Sequence, residues 1–73
     1  MDILDVTGLA CPLPILRTKK ALKNVAQGGL LKVVATDPGA VKDMDVFCRQ
    51  TGNELVEWAD EGGTYTFVIK RLT

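Results

Sequence analysis

One cysteine stands where the chain passes from a predicted strand into a predicted helix. Cys11 follows Gly8 by three residues and is itself followed by Pro12, Leu13 and Pro14. A thiol at a helix N-terminus faces unpaired N–H groups and the positive end of the helix dipole, and both favour the thiolate. Such positions lower the pKa of a cysteine from about 8.5 to roughly 3.5–7.5. We therefore expect Cys11 to be an exposed nucleophile with a lowered pKa.

The residues that the chain lacks narrow the chemistry open to this thiol. There is no histidine, which a cysteine hydrolase uses as its general base. The second cysteine, Cys48, lies far along the chain, so Cys11 has no resolving thiol in its own loop. The same two absences argue against a metal site, and no cofactor is expected. A lone thiolate can still accept a sulfane sulfur and pass it on by thiol exchange.

The elements around Cys11 follow from proline, glycine and apolar spacing. Residues 2–6 predict a short strand closed by a turn at Gly8. The helix is expected to begin at Pro12 or, because Pro14 disfavours helical geometry in the residue before it, at Pro14. Gly8 would form the turn and the two prolines would hold the cysteine loop. The amphipathic pattern then continues for about three turns, and Gly28-Gly29 is expected to end the helix.

Two leucines fall on the polar side of this helix. Leu13 and Leu16, together with Arg17 and Lys20, would form a partly apolar, basic patch beside Cys11. The patch is a candidate surface for partner docking. The alternative is that these leucines are ordinary exposed apolar residues without a function.

The middle of the chain repeats the strand-to-helix pattern. Residues 30–36 predict a central, largely buried strand, and Asp37-Pro38 predicts the start of a second helix that ends at Gly52. We expect Asp37 to cap that helix, so that its carboxylate is occupied and the helix dipole dominates the pKa of Cys11. Cys48 lies on the apolar arc of the second helix and is expected to be a small buried side chain.

The last third of the chain predicts a hairpin. Residues 53–59 and 64–71 read as strands around the turn Asp60-Glu61-Gly62-Gly63. The three aromatic residues of this hairpin are expected to pack rather than to form a stacking platform for bases; they are Trp58, Tyr65 and Phe67.

These elements predict one α+β domain over residues 1–73. Right-handed crossovers place both helices on one face of a mixed four-stranded sheet, which gives a two-layer α/β sandwich of order β-α-β-α-β-β. The loops after the first two strands then meet at one sheet edge, where ligands of open α/β sheets bind. We therefore predict that Asp37 helps to shape the site of Cys11.

Composition and charge limit the classes of function. The chain is 47% apolar and 25% charged, which is typical of a globular protein. It has neither a long apolar run nor a signal-peptide pattern at its start, so a cytoplasmic protein without membrane contact is expected. Residues 1–36 carry five basic and two acidic side chains (+3), and residues 37–73 carry four and seven (−3). Zero net charge argues against nucleic-acid binding, and the polarity suits docking to another protein.

The cysteine loop resembles the signature of the TusA (SirA-like) sulfur-carrier family. The resemblance rests on residues 5–14, which include Gly-x-x-Cys-Pro-x-Pro, and continues through Thr36-Asp37-Pro38, Asp43, Phe47-Cys48 and the hairpin. It implies a β-α-β-α-β-β fold and a persulfide carried on Cys11. It also implies a sulfur relay rather than a stand-alone enzyme, with a cysteine desulfurase or rhodanese-like donor and a DsrE-like or related acceptor.

The resemblance allows several pathways, among them tRNA thiolation, sulfur oxidation, and molybdenum-cofactor or selenium metabolism. The tRNA-thiolation members carry arginine and glutamate where this chain has Ala10 and Leu13. This difference favours sulfur oxidation or another relay. A monomer is expected.

Two other classes of function stay open at this point. In one, the protein is a regulatory or interaction module in which Cys11 is only structural, and the thiol then keeps an ordinary pKa. In the other, the domain binds RNA, which zero net charge already disfavours.

Overall fold

The computed structural model describes residues 1–73, and the order of its elements is the predicted one. The strands are β1 (Asp2–Val6), β2 (Leu30–Ala35), β3 (Glu54–Glu61) and β4 (Thr64–Lys70). The helices are α1 (Leu13–Leu22), between β1 and β2, and α2 (Ala40–Thr51), between β2 and β3. Neither helix is both long enough and apolar enough to cross a membrane.

The four strands form one mixed sheet of order β1-β2-β4-β3. β1 and β2 are parallel, as a strand–helix–strand crossover requires, while β4 runs antiparallel to both β2 and β3. The last strand therefore lies inside the sheet, between the second and the third. The predicted mixed sheet is confirmed.

The core lies between this sheet and the two helices. Val33 and Phe67 are cross-strand partners on β2 and β4, and both are fully buried, as is Met44 of α2. Alternation along β2 and β4 sends every second side chain into this layer. The predicted two-layer α+β sandwich is confirmed. The core consists of Val6, Leu22, Val25, Leu31, Val33, Ala35, Ala40, Met44, Phe47, Cys48, Phe67 and Ile69.

The first helix has about the predicted three turns, but the predicted pair of glycines does not end it. α1 ends at Leu22, six residues before Gly28, so the expectation that Gly28-Gly29 terminates it is wrong. Turn hydrogen bonds continue past the helix, and the Arg71 guanidinium donates to the carbonyl oxygens of Lys23 (3.2 Å) and Val25 (2.6 Å). The last carbonyl groups of α1 accept from the backbone N–H groups of residues 23–25, which form a turn after the helix. Arg71 holds the carbonyl groups of that segment, and no glycine caps the helix.

The other turns follow glycine conformations. Gly52 ends α2 with φ +75° and donates its N–H to the Cys48 carbonyl. Gly62 and Gly63, with φ +65° and +91°, form the turn of the β3–β4 hairpin. Two positive φ values in a two-residue loop are those of a type I′ turn, whose twist matches that of the strands.

The aromatic residues pack unequally. Phe67 is fully buried and Tyr65 packs against the core, as predicted. Trp58 stacks on Phe67 with 6.5 Å between ring centroids, yet 49% of its surface is exposed. Phe67 is therefore a full core residue, whereas Trp58, on the edge strand β3, packs with only part of its surface.

Candidate functional site

Cys11 is exposed and lies just before the first helix. Pro12 is the N-cap residue of α1, and the peptide bond between Cys11 and Pro12 is cis. Pro14 is buried against the core, which fixes the beginning of the helix. The predicted placement of Cys11 within one turn of the helix start agrees with this geometry.

Hydrogen bonds tie the cysteine loop to the loop that follows β2. Gly8, with φ +78°, donates its N–H to Thr36 Oγ1 at 2.8 Å. The Cys11 N–H donates to Asp37 Oδ2 at 2.9 Å. The parallel pairing of β1 and β2 brings their carboxyl ends together, so these contacts span more than twenty-five residues of sequence. The backbone around Cys11 is therefore held from outside its own loop.

Asp37 does not cap the second helix. The N-cap residue of α2 is Gly39, and no side chain caps it. The Asp37 carboxylate instead accepts from the Gly39 N–H (3.2 Å) with one oxygen and from the Cys11 N–H with the other. The capping prediction is wrong, because α2 begins two residues later than Pro38 suggested. Asp37 acts on the backbone of Cys11, as a bridge between two loops.

Two carboxylates set the pKa of Cys11. Hydrogen bonding of the thiol to the Asp43 side chain raises this pKa, and desolvation and the negative charges of Asp43 and Asp37 raise it further. The expectation of a lowered pKa, dominated by the helix dipole, is therefore wrong.

The local sequence explains why the N-terminus of α1 does little to lower the pKa of Cys11. Pro12 and Pro14 have no N–H, and the Leu13 N–H donates to the Ala10 carbonyl at 3.0 Å. The Cys11 N–H is taken by Asp37. The first turn thus offers the thiolate few free donors, although it is a helix N-terminus by position.

Cys11 opens into a shallow groove between the two helices, with a volume of about 280 Å³. α1 contributes Ile15, and α2 contributes a stripe of four residues, Asp43, Val46, Phe47 and Gln50. Sequence reasoning did not assign this groove. The signal was present in part, because positions 43, 46, 47 and 50 have the i, i+3, i+4, i+7 spacing of one helix face.

The predicted docking patch lies on the other side of α1. Leu13 and Leu16 are exposed by 42% and 54%, and Arg17 and Lys20 are exposed as well. Their spacing places all four on one stripe of the helix. Ile15, which lines the groove, lies two positions from both Leu13 and Arg17 and therefore faces away from this stripe. Cys11 stands between an apolar groove and a basic, partly apolar patch.

The second thiol has no part in this site. Cys48 is buried, with 2% of its surface exposed, and burial raises its pKa to about 11. The prediction of a small buried side chain is confirmed. Both cysteines are free thiols. Cys11 alone has the exposure that thiol exchange with another protein requires.

Comparisons with known proteins agree with the arrangement. A family model described as "Sulfurtransferase TusA" matches residues 2–71. The chain is 59% identical to a sulfur carrier protein TusA of Allochromatium vinosum, over 93% of this chain and 90% of that protein. It is 54% identical to a putative sulfur carrier protein of Neisseria meningitidis, over 94% and 93% of the two chains. The crystal structure of a SirA-like protein from Desulfitobacterium hafniense covers the whole of both chains with a TM-score of 0.84; at 23% identity it supports the fold.

Proposed function

This chain belongs to the TusA family of sulfur carriers, and we propose that it holds sulfane sulfur as a persulfide on Cys11 and relays it between two proteins. The observation that carries the proposal is the exposed Cys11 thiol, at the mouth of an apolar groove, in a chain without histidine. Such a site can present one sulfur atom to a partner, and the chain has no histidine to serve as the general base of a cysteine hydrolase.

Loading is an exchange that balances without an oxidant. The Cys11 thiolate attacks the outer sulfur of a donor persulfide, R–S–SH. A new S–S bond forms at Cys11 while the donor's S–S bond breaks, and the donor leaves as the thiolate R–S⁻. Unloading repeats the step, since an acceptor thiolate attacks the outer sulfur of Cys11–S–SH and Cys11 leaves as the thiolate.

The surroundings of Cys11 support this role. Gly8, Pro12, Pro14 and Asp37 hold the loop, and the stripe of Leu13, Leu16, Arg17 and Lys20 is our candidate for docking. The donor is a cysteine desulfurase or a rhodanese-like protein and the acceptor a DsrE-like or related protein, working in the cytoplasm. Sulfur oxidation is the favoured pathway and tRNA thiolation the other. The shallowness of the groove supports protein partners over a free metabolite.

Intact-mass analysis tests the proposal. The protein is incubated with a cysteine desulfurase and cysteine, and loading is expected to add about 32 Da, one sulfur atom. The Cys11→Ser variant should gain no mass, and the matched Cys48→Ala variant should gain it as the wild type does. The incubation is repeated with a rhodanese-like donor. An adduct that persists in Cys11→Ser, or a wild type that gains no mass from either the desulfurase or the rhodanese-like donor, contradicts the proposal and favours a module in which Cys11 is structural.

A further inference from the structure

Asp43 is the residue of the groove that most directly affects the thiol. It comes from the first turn of α2, is partly buried, and lines the groove together with Cys11. One oxygen of Asp37 also lies 2.9 Å from the backbone nitrogen of Cys11, so two carboxylates stand near the thiol. Negative charge beside a thiol disfavours its ionised form, and both carboxylates raise the pKa of Cys11. The arrangement therefore favours the protonated form of Cys11.

The protein supplies little that would stabilise the thiolate form of Cys11. The groove is lined by Cys11, Pro12, Ile15, Asp43, Val46, Phe47 and Gln50, none of which is cationic. Ile15 of α1 and Pro12 just before it line the groove. The charge that α2 contributes to the groove is Asp43, and the charge of the β2–α2 loop near Cys11 is Asp37. The Cys11 N–H is already bound, and Arg17 lies on the far side of α1. A thiolate in this groove meets negative charge without a counter-ion.

We infer that a cationic side chain of a sulfur-transferring partner enters the groove beside Cys11, pairs with Asp43, and thereby converts Cys11 from the thiol of the free protein into the reactive thiolate. The inference rests on the proposed function and names the regulation of that same site. Asp43 is a positioning residue in this scheme.

Charge complementarity is the reason to expect a cationic side chain in the groove. A lysine or arginine side chain brings an apolar stem, which suits Ile15, Val46 and Phe47, and a charge that suits the lone carboxylate. Once paired with Asp43, the cation favours the ionised form of the thiol, and the proton leaves to solvent. The thiolate then attacks the outer sulfur of the partner persulfide, and the partner leaves as its own thiolate. Cys11 thus becomes reactive when a partner docks and stays protected from other electrophiles until then.

Two small thiol reagents that differ in charge test the charge of the groove. The methanethiosulfonates carrying a trimethylammonium or a sulfonate group both form a mixed disulfide on Cys11 and release methanesulfinate. Their rate ratio, cation over anion, is normalised to the ratio for the urea-unfolded chain. We expect this ratio to exceed one by about threefold or more in the folded protein, since a single charge near an exposed atom gives preferences of this size. A ratio near one overturns the inference.

Matched variants assign the preference to one carboxylate. Asp43→Asn should bring the ratio close to one, and Asp43→Glu, which keeps the charge, should retain most of it. Asp45→Asn removes the same charge from the same helix, but Asp45 pairs with Arg49 and does not line the groove, so the ratio should stay as in the wild type. A preference that survives Asp43→Asn, or that falls equally in Asp45→Asn, overturns the inference.

A pH profile provides a readout that a purely structural role would not move. The rate of Cys11 alkylation by neutral iodoacetamide, with the modified cysteine identified by peptide mapping, should have its midpoint at lower pH in Asp43→Asn than in the wild type. At pH 7 the variant should react about two to five times faster, because the gain in thiolate is partly offset by its lower nucleophilicity. Equal midpoints overturn the inference. These reagents need no sulfur donor, so they test Asp43 separately from persulfide loading, which is read by mass.

Discussion

The carboxylate of Asp37 accepts a hydrogen bond of 2.9 Å from the backbone N–H of Cys11, across twenty-six positions of sequence. Its second oxygen accepts from the Gly39 N–H just before α2. One side chain thereby joins the loop that carries the thiol to the beginning of the helix that supplies the groove. The position of Cys11 relative to α2 depends on this bridge.

Replacement of Asp37 is expected to loosen the cysteine loop. Asp37→Ala removes both hydrogen bonds and should lower the free energy of unfolding by about 1–2 kcal/mol, with a smaller loss for Asp37→Asn, which keeps one acceptor oxygen. Urea titration followed by Trp58 fluorescence gives the stability, and amide hydrogen exchange at Cys11 gives the local effect. Unchanged exchange at Cys11 in Asp37→Ala would show that the bridge does not order the loop.

A side chain added at Gly8 is expected to find enough room, but to strain the backbone. Its φ is +78°, and no heavy atom lies within 4 Å of a Cβ built there. Gly8→Ala should therefore cost about 1–2 kcal/mol through the left-handed conformation alone.

Gly62→Ala is the matched control for Gly8→Ala, because Gly62 has a φ of +65° and equally open space, far from Cys11 in the hairpin turn. Urea titration should show a similar loss of stability in both variants. Only Gly8→Ala should change the rate at which iodoacetamide alkylates Cys11, since the Gly8 N–H anchors that loop to Thr36. The same change of rate in both variants contradicts a local role for Gly8.

Leu16 is expected to matter to a partner and not to the fold. With 54% of its surface exposed, Leu16→Ser should change the free energy of unfolding by no more than about 0.5 kcal/mol. If the stripe docks the donor, kcat/KM for sulfur transfer from a cysteine desulfurase should fall by about fivefold or more, the threshold for a significant interface residue.

Ile3→Ser is the matched control for Leu16→Ser, because it also removes an exposed apolar side chain, 68% exposed on β1. Its transfer kinetics should equal those of the wild type. Equal kinetics for Leu16→Ser as well would assign docking to another surface.

Cys48 is expected to make stability depend on alkaline pH. Burial raises its pKa to about 11 in the folded protein, whereas the unfolded chain ionises near 9.0. The folded-state pKa is the higher one, so this contribution to stability is complete below pH 9.0 and is lost as the pH rises through 11. The stability difference between wild type and Cys48→Ala, from urea titrations at several pH values, should shrink over this window. A constant difference would contradict the raised pKa.

Much of this architecture is local and was accessible from the sequence. The signals that act over a few residues predict the elements directly. They are the alternation in β2 and β4, the prolines at the start of α1, the glycines of the hairpin turn, and Gly52 at the end of α2. The end of α1 was predicted wrongly, because the segment that follows the helix is held by Arg71, which lies 46 to 48 positions further along the chain.

The sequence by itself determined that one cysteine lies just before a helix and that no histidine or nearby thiol accompanies it. It also determined the order of elements, which forms a two-layer α+β domain. The tertiary structure alone decided what surrounds the thiol. Asp37 reaches the Cys11 backbone, and Asp43 and Phe47 form the groove, because α2 packs beside α1 on the same face of the sheet. Helical periodicity says which side of a helix is buried, but the pairing of one helix stripe with a loop more than thirty residues away depends on packing of the whole core. For the same reason the pKa of Cys11, expected to be low from its place in the chain, is raised by its neighbours in space.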